Sequence, residues 1–128
     1  MTKVIATEHA PQAIGPYIQG ARTGNFIFTS GQLPINPQTG DIPACAEGQT
    51  RQSLENIRAI IEAGGLTVDN ICKTTIFVKD LNEFAVINHA YAEFFTQHHA
   101  SFPARSCVEV ARLPKEVKVE IEAVAWCG

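Results

Sequence analysis

The sequence predicts an α+β fold in which a mixed β-sheet is covered on one face by two helices. Three observations carry this. Short β-branched and aromatic runs alternate with two segments of helical period, the connections between them are short, and the order they imply is β-β-α-β-α-β-β. No internal repeat, low-complexity tract or linker interrupts the pattern, so residues 1–128 read as one domain.

The elements follow in order. The N-terminal third is punctuated by turn formers, "GPY", "TGN" and "SGQLPINPQTGDIP", and the apolar run "NFIFTS" between them predicts strands in a hairpin arrangement. From about Glu47 the period changes. Leu54, Ile57 and Ile61 fall at i, i+3 and i+7 on one helical face, and Gly64–Gly65 supply a stop. "ICKTTIFVK", from Ile71 to Lys79, is β-branched and predicts a strand. Asp80 and Glu83 have the D-x-x-E spacing of a capping box opening a second helix. The stripe Phe84, Ile87, Tyr91, Phe94 and Phe95 along it reads as core packing rather than a ligand-binding face. The segment Phe102 to Trp126, "FPARSCVEVARLPKEVKVEIEAVAW", in which Pro103 ends the approach to the strands, reads as two strands joined in a hairpin.

Composition excludes several function classes. Apolar residues make up 45% of the chain and charged residues 18%, the balance of an ordinary globular protein. A net charge of −3 with no run of four basic residues argues against an electrostatic nucleic-acid binder. No segment has the apolar core of a signal peptide or the length of a membrane helix, so no membrane association and a cytoplasmic location are expected. Cys45, Cys72, Cys107 and Cys127 form no C-x-x-C pair, and free thiols rather than a metal knuckle are expected. The adjacent His98 and His99 point about 100° apart on a helix and read as a solvated helix end, so no metal site is expected.

The last two strands pose the functional question. Val117, Val119, Ile121, Ala123 and Ala125 point one way, while Lys118, Glu120 and Glu122 point the other; Arg105, Cys107 and Glu109 oppose Val108 and Val110. If the two strands pair and bury their valine rows together, Arg105, Cys107, Glu120 and Glu122 share one face, with Arg105 opposite Glu120, opposite Glu122, or diagonally between them. One reading is the wet face of a half-buried sheet, with a surface pair contributing ~0–1 kcal/mol. The other is a face covered by a second subunit, because Cys107, Phe77 and Trp126 fall on it too; charges trapped there must be functional or paired.

The segments "AIGPYIQG" (13–20), "FTSGQLPINPQTGDIPA" (28–44), "TRQSLENI" (50–57), "TTIFVKDLNEFAVIN" (74–88) and "FPARSCVEVARLPKEVKVEIEAVA" (102–125) resemble the Rid (YjgF) family, in particular its RidA branch of enamine/imine deaminases. The run "RSCVEVARLP" is the most specific of them, and the resemblance covers nearly the whole chain. It implies a chorismate-mutase-like fold and a homotrimer with the sheets facing inward and active sites between subunits. It implies hydrolysis of 2-enamino and 2-imino acids, such as 2-aminoacrylate and 2-iminobutanoate, to 2-oxo acids and ammonia, protecting pyridoxal-phosphate enzymes. No cofactor is implied.

By the same resemblance Arg105 binds the substrate carboxylate, for which its planar fork is suited, and Glu120 positions and activates water. Tyr17, Ser30, Gly31, Asn88 and Cys107 match positions around the substrate. For Ser30–Gly31 the bland alternative is a tight turn, and for Asn88 an exposed helix residue. Arg105 beside Cys107 favours a thiolate, but no histidine is tied to it and imine hydrolysis needs no covalent intermediate, so Cys107 reads as pocket wall. The resemblance also departs in places: the chain ends in "WCG" where relatives often carry a short basic tail, and Cys45 lies in a loop that usually lacks cysteine. Two other functions stay open: a non-catalytic 2-oxo-acid sensor using the same pocket, and the RNA-cleaving or chaperone-like roles attributed to family members.

Overall fold

A computed structural model describes residues 2–128. The elements are β1 (Thr2–Ile5), β2 (Gly20–Thr23), β3 (Phe26–Thr29), α1 (Ala46–Ala63), β4 (Ile71–Val78), α2 (Phe84–Gln97), β5 (Ala104–Glu109) and β6 (Val119–Trp126), with single 3₁₀ turns before β4, α2 and β6. The α+β class, both helices and the mixed sheet agree with expectation. The N-terminal region differs, contributing three strands rather than two. β1 carries only "TKVI", with three of its four residues exposed, so no alternation marks it.

The sheet order is β1-β2-β3-β6-β4-β5. Every neighbouring pair is antiparallel except β4 and β5, which run parallel. The expected hairpin of the last two strands is therefore absent: β4 lies between β5 and β6. Its register ties Thr74 to Arg105 on one side and to Ala123 on the other, and Phe77 to Val108 and to Glu120. The helix-facing row of β4, Thr74, Ile76 and Val78, is fully buried, as suits a strand paired on both sides and covered by the helices.

Both helices cover that same face. Cys45 caps α1, its Sγ accepting from the Gly48 N–H at 3.4 Å. The far end closes at Gly65, whose φ of 91° is the left-handed state glycine adopts freely, with the Leu66 N–H donating to the Ile61 carbonyl. Leu54, Ile57, Ile60 and Ile61 of α1 pack onto Ile27, Ile76, Val119 and Ile121 of the sheet, all with no exposed surface. At about 1.5–3 kcal/mol for each large side chain removed from water, this layer holds the fold together. Asp80 caps the turn that opens α2, accepting from the Asn82 N–H at 2.9 Å. Glu83 does not complete a capping box but reaches Lys118 at 3.8 Å.

The opposite face has no such cover. Val4, Phe26, Phe28, Val108 and Trp126 line it, each more than two-fifths exposed. No helix of the described residues is long and apolar enough to cross a membrane.

Candidate active site

The residues singled out from the sequence gather into two groups on opposite faces of the sheet. This corrects the single-face expectation for Arg105, Cys107, Glu120 and Glu122. Ladder partners in a sheet point to the same side, so Arg105 and Cys107 follow Thr74 and Ile76 toward the helices, while Glu120 follows Phe77 onto the open face. The expectation failed because it matched the valine row of β5 to the buried row of β6. In the structure Val108 lies on the open face beside Phe77, and the polar row of β5 turns inward against α2. Phe77 and Trp126 do share the face of Glu120; Cys107 does not.

The basic group is built on β5 and α2. Arg105 Nη1 donates to Asn88 Oδ1 at 2.6 Å, and the guanidinium carbon lies 5.0 Å from the Tyr91 ring centre and 5.5 Å from that of Phe84. Asn88 is thus a partner of Arg105 and not a free helix residue. Asn88, Tyr91, Ala92, Phe102, Pro103 and Arg105 line an open pocket of about 300 Å³. Arg105 is half-buried and has no ion-pair partner among the described residues. Burial pushes the Cys107 thiol up, and the pull of Arg105 in the other direction does not reverse it, so the thiolate the sequence allowed is disfavoured. Tyr91 is likewise raised, by burial first, against its hydrogen bond to Thr74 and the charge of Arg105.

The acidic group is built where β3 runs out. β3 pairs with β6 through Phe28 and Val124, and pairing resumes at Gln32 and Ile121. Four residue steps on one strand therefore pass three on the other, and the extra residue is accommodated at Ser30–Gly31. The "SG" of the sequence is thus a bulge in the ladder rather than a tight turn. Thr29 Oγ1 bridges the interruption by accepting from the Ala123 N–H at 3.0 Å.

The bulge makes room for Glu120. A Cβ on Gly31 would lie 2.0 Å from Glu120 Oε2, so the carboxylate occupies the space that any other residue would fill. Ser30 Oγ donates to the Ile18 carbonyl at 2.6 Å, and Tyr17 Oη accepts from the Ile14 N–H at 3.2 Å, leaving the phenolic proton to donate. Ile14, Tyr17, Ser30, Gly31, Leu33, Pro114 and Glu120 line a cavity of about 350 Å³. The Glu120 pKa is raised, by burial first and by neighbouring Glu122 second. Arg105, which the sequence placed on the same face as Glu120, is not among the causes.

Of the expected set, Tyr17, Ser30, Gly31 and Glu120 come together, as do Asn88 and Arg105, with Cys107 one pleat further on. Phe102 in the basic group, and Ile14, Leu33 and Pro114 in the acidic group, were not singled out; of the stripe read as core packing, Tyr91 is buried in the core and Phe84 is not, and both rings also lie by Arg105. The spacing of Phe84, Asn88 and Tyr91 at i, i+4 and i+7 was the available signal. All four cysteines are free. His98 lies 3.7 Å from Glu55, His99 is exposed at a φ of 54°, and no cluster of three metal-ligating side chains exists among the described residues.

Known proteins are similar to this chain along almost its entire length. The 2-iminobutanoate/2-iminopropanoate deaminase of Escherichia coli K12 is 66% identical over 125 residues, covering 98% of each chain. The crystal structure of the E. coli YjgF gene product superposes with a TM-score of 0.97 at 63% identity, covering 98% of this chain and 99% of that one. The crystal structure of E. coli TdcF with bound serine gives 0.97 at 57% identity with the same coverage. The profile of the family described as Endoribonuclease L-PSP matches residues 7–127. The chain belongs to that family, the Rid (YjgF) family its segments resemble.

Proposed function

We propose that this protein is a deaminase that hydrolyses short-lived 2-imino acids to 2-oxo acids and ammonia, working as a homotrimer whose active sites form between neighbouring chains. One observation carries the reading. A half-buried guanidinium with no counter-ion among the described residues and a carboxylate held above its ordinary pKa line separate cavities on opposite faces of one sheet. A substrate with only a few heavy atoms cannot span a sheet. The two groups serve one substrate only if a second copy brings its Glu120 face to the first copy's Arg105 edge. The open apolar face, with Phe26, Phe28 and Trp126 uncovered, supplies the surface for such packing.

In that composite site Arg105 grips the two oxygens of the substrate carboxylate. Glu120, more basic than an ordinary glutamate, accepts a proton from water as the water oxygen bonds to the imine carbon C2. The imine nitrogen gains a proton as the carbinolamine forms; it then takes up a second, the C–N bond breaks as the hydroxyl gives up its proton to the Glu120 carboxylate, and ammonia leaves the 2-oxo acid. Tyr17 donates from its free phenolic proton to the developing oxygen or nitrogen. Cys107 takes no covalent part, and the chemistry calls for neither electron sink nor redox partner, so no cofactor enters. The names of the E. coli relatives support the substrate class. The serine bound by TdcF supports a pocket for a small molecule bearing a carboxylate and a nitrogen on the adjacent carbon. Removal of reactive imines in the cytoplasm, sparing pyridoxal-phosphate enzymes, is the corresponding physiological role, performed by one domain spanning the chain.

The test is a coupled assay in which a serine or threonine dehydratase generates the imine in situ and its survival is followed by semicarbazide trapping. Wild-type protein should accelerate imine loss, and Arg105→Ala should lose at least about 10²-fold of that acceleration, the scale of a few kcal/mol of electrostatic positioning. Wild-type turnover in a folded Arg105→Ala variant would remove the assigned role. Arg105-dependent 2-oxo-acid binding without any acceleration would convert the reading to a sensor.

A further inference from the structure

Three residues on one stripe of α2 meet a single guanidinium. Phe84, Asn88 and Tyr91 recur at i, i+4 and i+7, the spacing that aligns side chains along one helical face. Asn88 accepts from Nη1, and the rings of Tyr91 and Phe84 lie 5.0 and 5.5 Å from the guanidinium carbon. Tyr91 is itself pinned. Its hydroxyl shares a buried 2.6 Å hydrogen bond with Thr74 Oγ1, and its ring centre is 4.9 Å from that of Phe95. Thr74 is the ladder partner of Arg105. The strand residue beside Arg105 thus anchors the ring on which Arg105 rests, closing a circuit of contacts from β5 through β4 to α2 and back.

Phe84 is the informative member. Its stripe mates Ile87, Tyr91, Phe94 and Phe95 are buried in the core, whereas Phe84 is 37% exposed. It places its ring by Arg105 rather than in the core. A guanidinium that must be ordered when it grips a carboxylate loses conformational freedom at that moment; one already held in place does not. Aromatic faces attract the cation while offering no acceptor that would compete with the ligand.

We propose that Phe84, Asn88 and Tyr91 are positioning residues, a preformed cradle that sets the plane of the Arg105 guanidinium before the ligand arrives. Asn88 takes Nη1, and Nε and Nη2 are left to hold the two oxygens of a 2-imino or 2-oxo acid. The proposal rests on the reading of Arg105 as carboxylate holder. It deepens that reading by assigning the affinity to the rings as well as to the charge.

The experiment compares wild type, Phe84→Leu, Phe84→Tyr, Tyr91→Phe and Arg105→Ala as full chains. Three quantities are read: calorimetric affinity for 2-oxobutanoate, KM and kcat in the coupled assay, and melting temperature. Phe84→Leu should weaken 2-oxobutanoate binding and raise KM by about 5- to 30-fold, with kcat within about two-fold and melting unchanged. Phe84→Tyr, which keeps the aromatic face, should restore both. Tyr91→Phe, which keeps the ring but cuts its tie to Thr74, should shift KM in the same direction by less. Wild-type affinity and KM in Phe84→Leu, where Arg105→Ala loses both, overturns the cradle and leaves the deaminase reading standing. Arg105-dependent binding without imine turnover overturns the deaminase reading, and the binding arm alone then decides the cradle. No Arg105-dependent binding at all overturns both.

Discussion

The two halves of the candidate site treat their charges in opposite ways. Arg105 rests by two aromatic rings with an amide on one nitrogen, contacts that surround the guanidinium and fix where it points. Glu120 has a glycine gap on one side, another carboxylate as neighbour and enough burial to disfavour its charge. A group that must hold an anion gains from being stabilised and fixed. A group that must take up and return a proton gains from an uncompensated charge. The contrast suits the binding role proposed for Arg105 and the proton-transfer role proposed for Glu120.

That contrast can be broken in graded ways. The largest effect comes from mixing chains. In the proposed homotrimer, Arg105→Ala and Glu120→Gln should each be nearly inactive. Reassembled together after mild dissociation at equal ratio, they should recover activity at about a quarter of their sites, where an intact Arg105 meets an intact Glu120. No recovery in verified mixed trimers would place both groups in one chain's site. Next is Gly31→Ala. The new methyl displaces the Glu120 carboxylate, and kcat should fall by about 10- to 100-fold while 2-oxobutanoate binding through Arg105 persists. Unchanged kcat would remove the bulge from the mechanism.

Glu120→Gln sharpens the electrostatic half of the comparison. Because its pKa is raised in the folded chain, folding takes up a proton at Glu120 between the ordinary and the raised value, and stability falls as pH rises through that window. The deficit persists at neutral pH. The glutamine variant should therefore melt above wild type at pH 7, and the two should converge once pH drops below the ordinary carboxylate range. A melting gap independent of pH would rule out burial of the charge as its cause. The smallest effect is Cys107→Ala, where a protonated thiol outside the chemistry predicts kcat within about three-fold of wild type. A loss of 10²-fold or more would reinstate the nucleophile.

Much of the fold was legible because its signals are local. The stripe Leu54, Ile57 and Ile61, the stop at Gly64–Gly65 and the β-branched run of β4 each record their own secondary structure. Strand order was not legible. β5 and β6 are sequence neighbours, so pairing them was the economical choice, but nine residues and a 3₁₀ turn separate them and β4 competes for both. From that error followed the misplaced face of Arg105, since edge strands follow apolar alternation only loosely. The identities of Arg105, Glu120, Tyr17, Ser30 and Gly31 came from motif resemblance. Their division into two groups depends on which strand lies between them, and no single-strand pattern encodes that. Phe84 and Tyr91 were read as core because a stripe reports which residues share a helix face, not what lies against it.

The extra residue at Ser30–Gly31 has a further implication. A scan of this sequence for chemistry looks for acids, bases and nucleophiles, and it passes over a serine whose hydroxyl is tied to a backbone carbonyl and a glycine with no side chain. Yet the ladder here is one residue longer on one side than on the other, and the notch that admits Glu120 is that difference in length. The function at this point is recorded as a count. Removing one residue between Thr29 and Gln32 would leave every proposed catalytic side chain in the sequence and would close the space that one of them occupies.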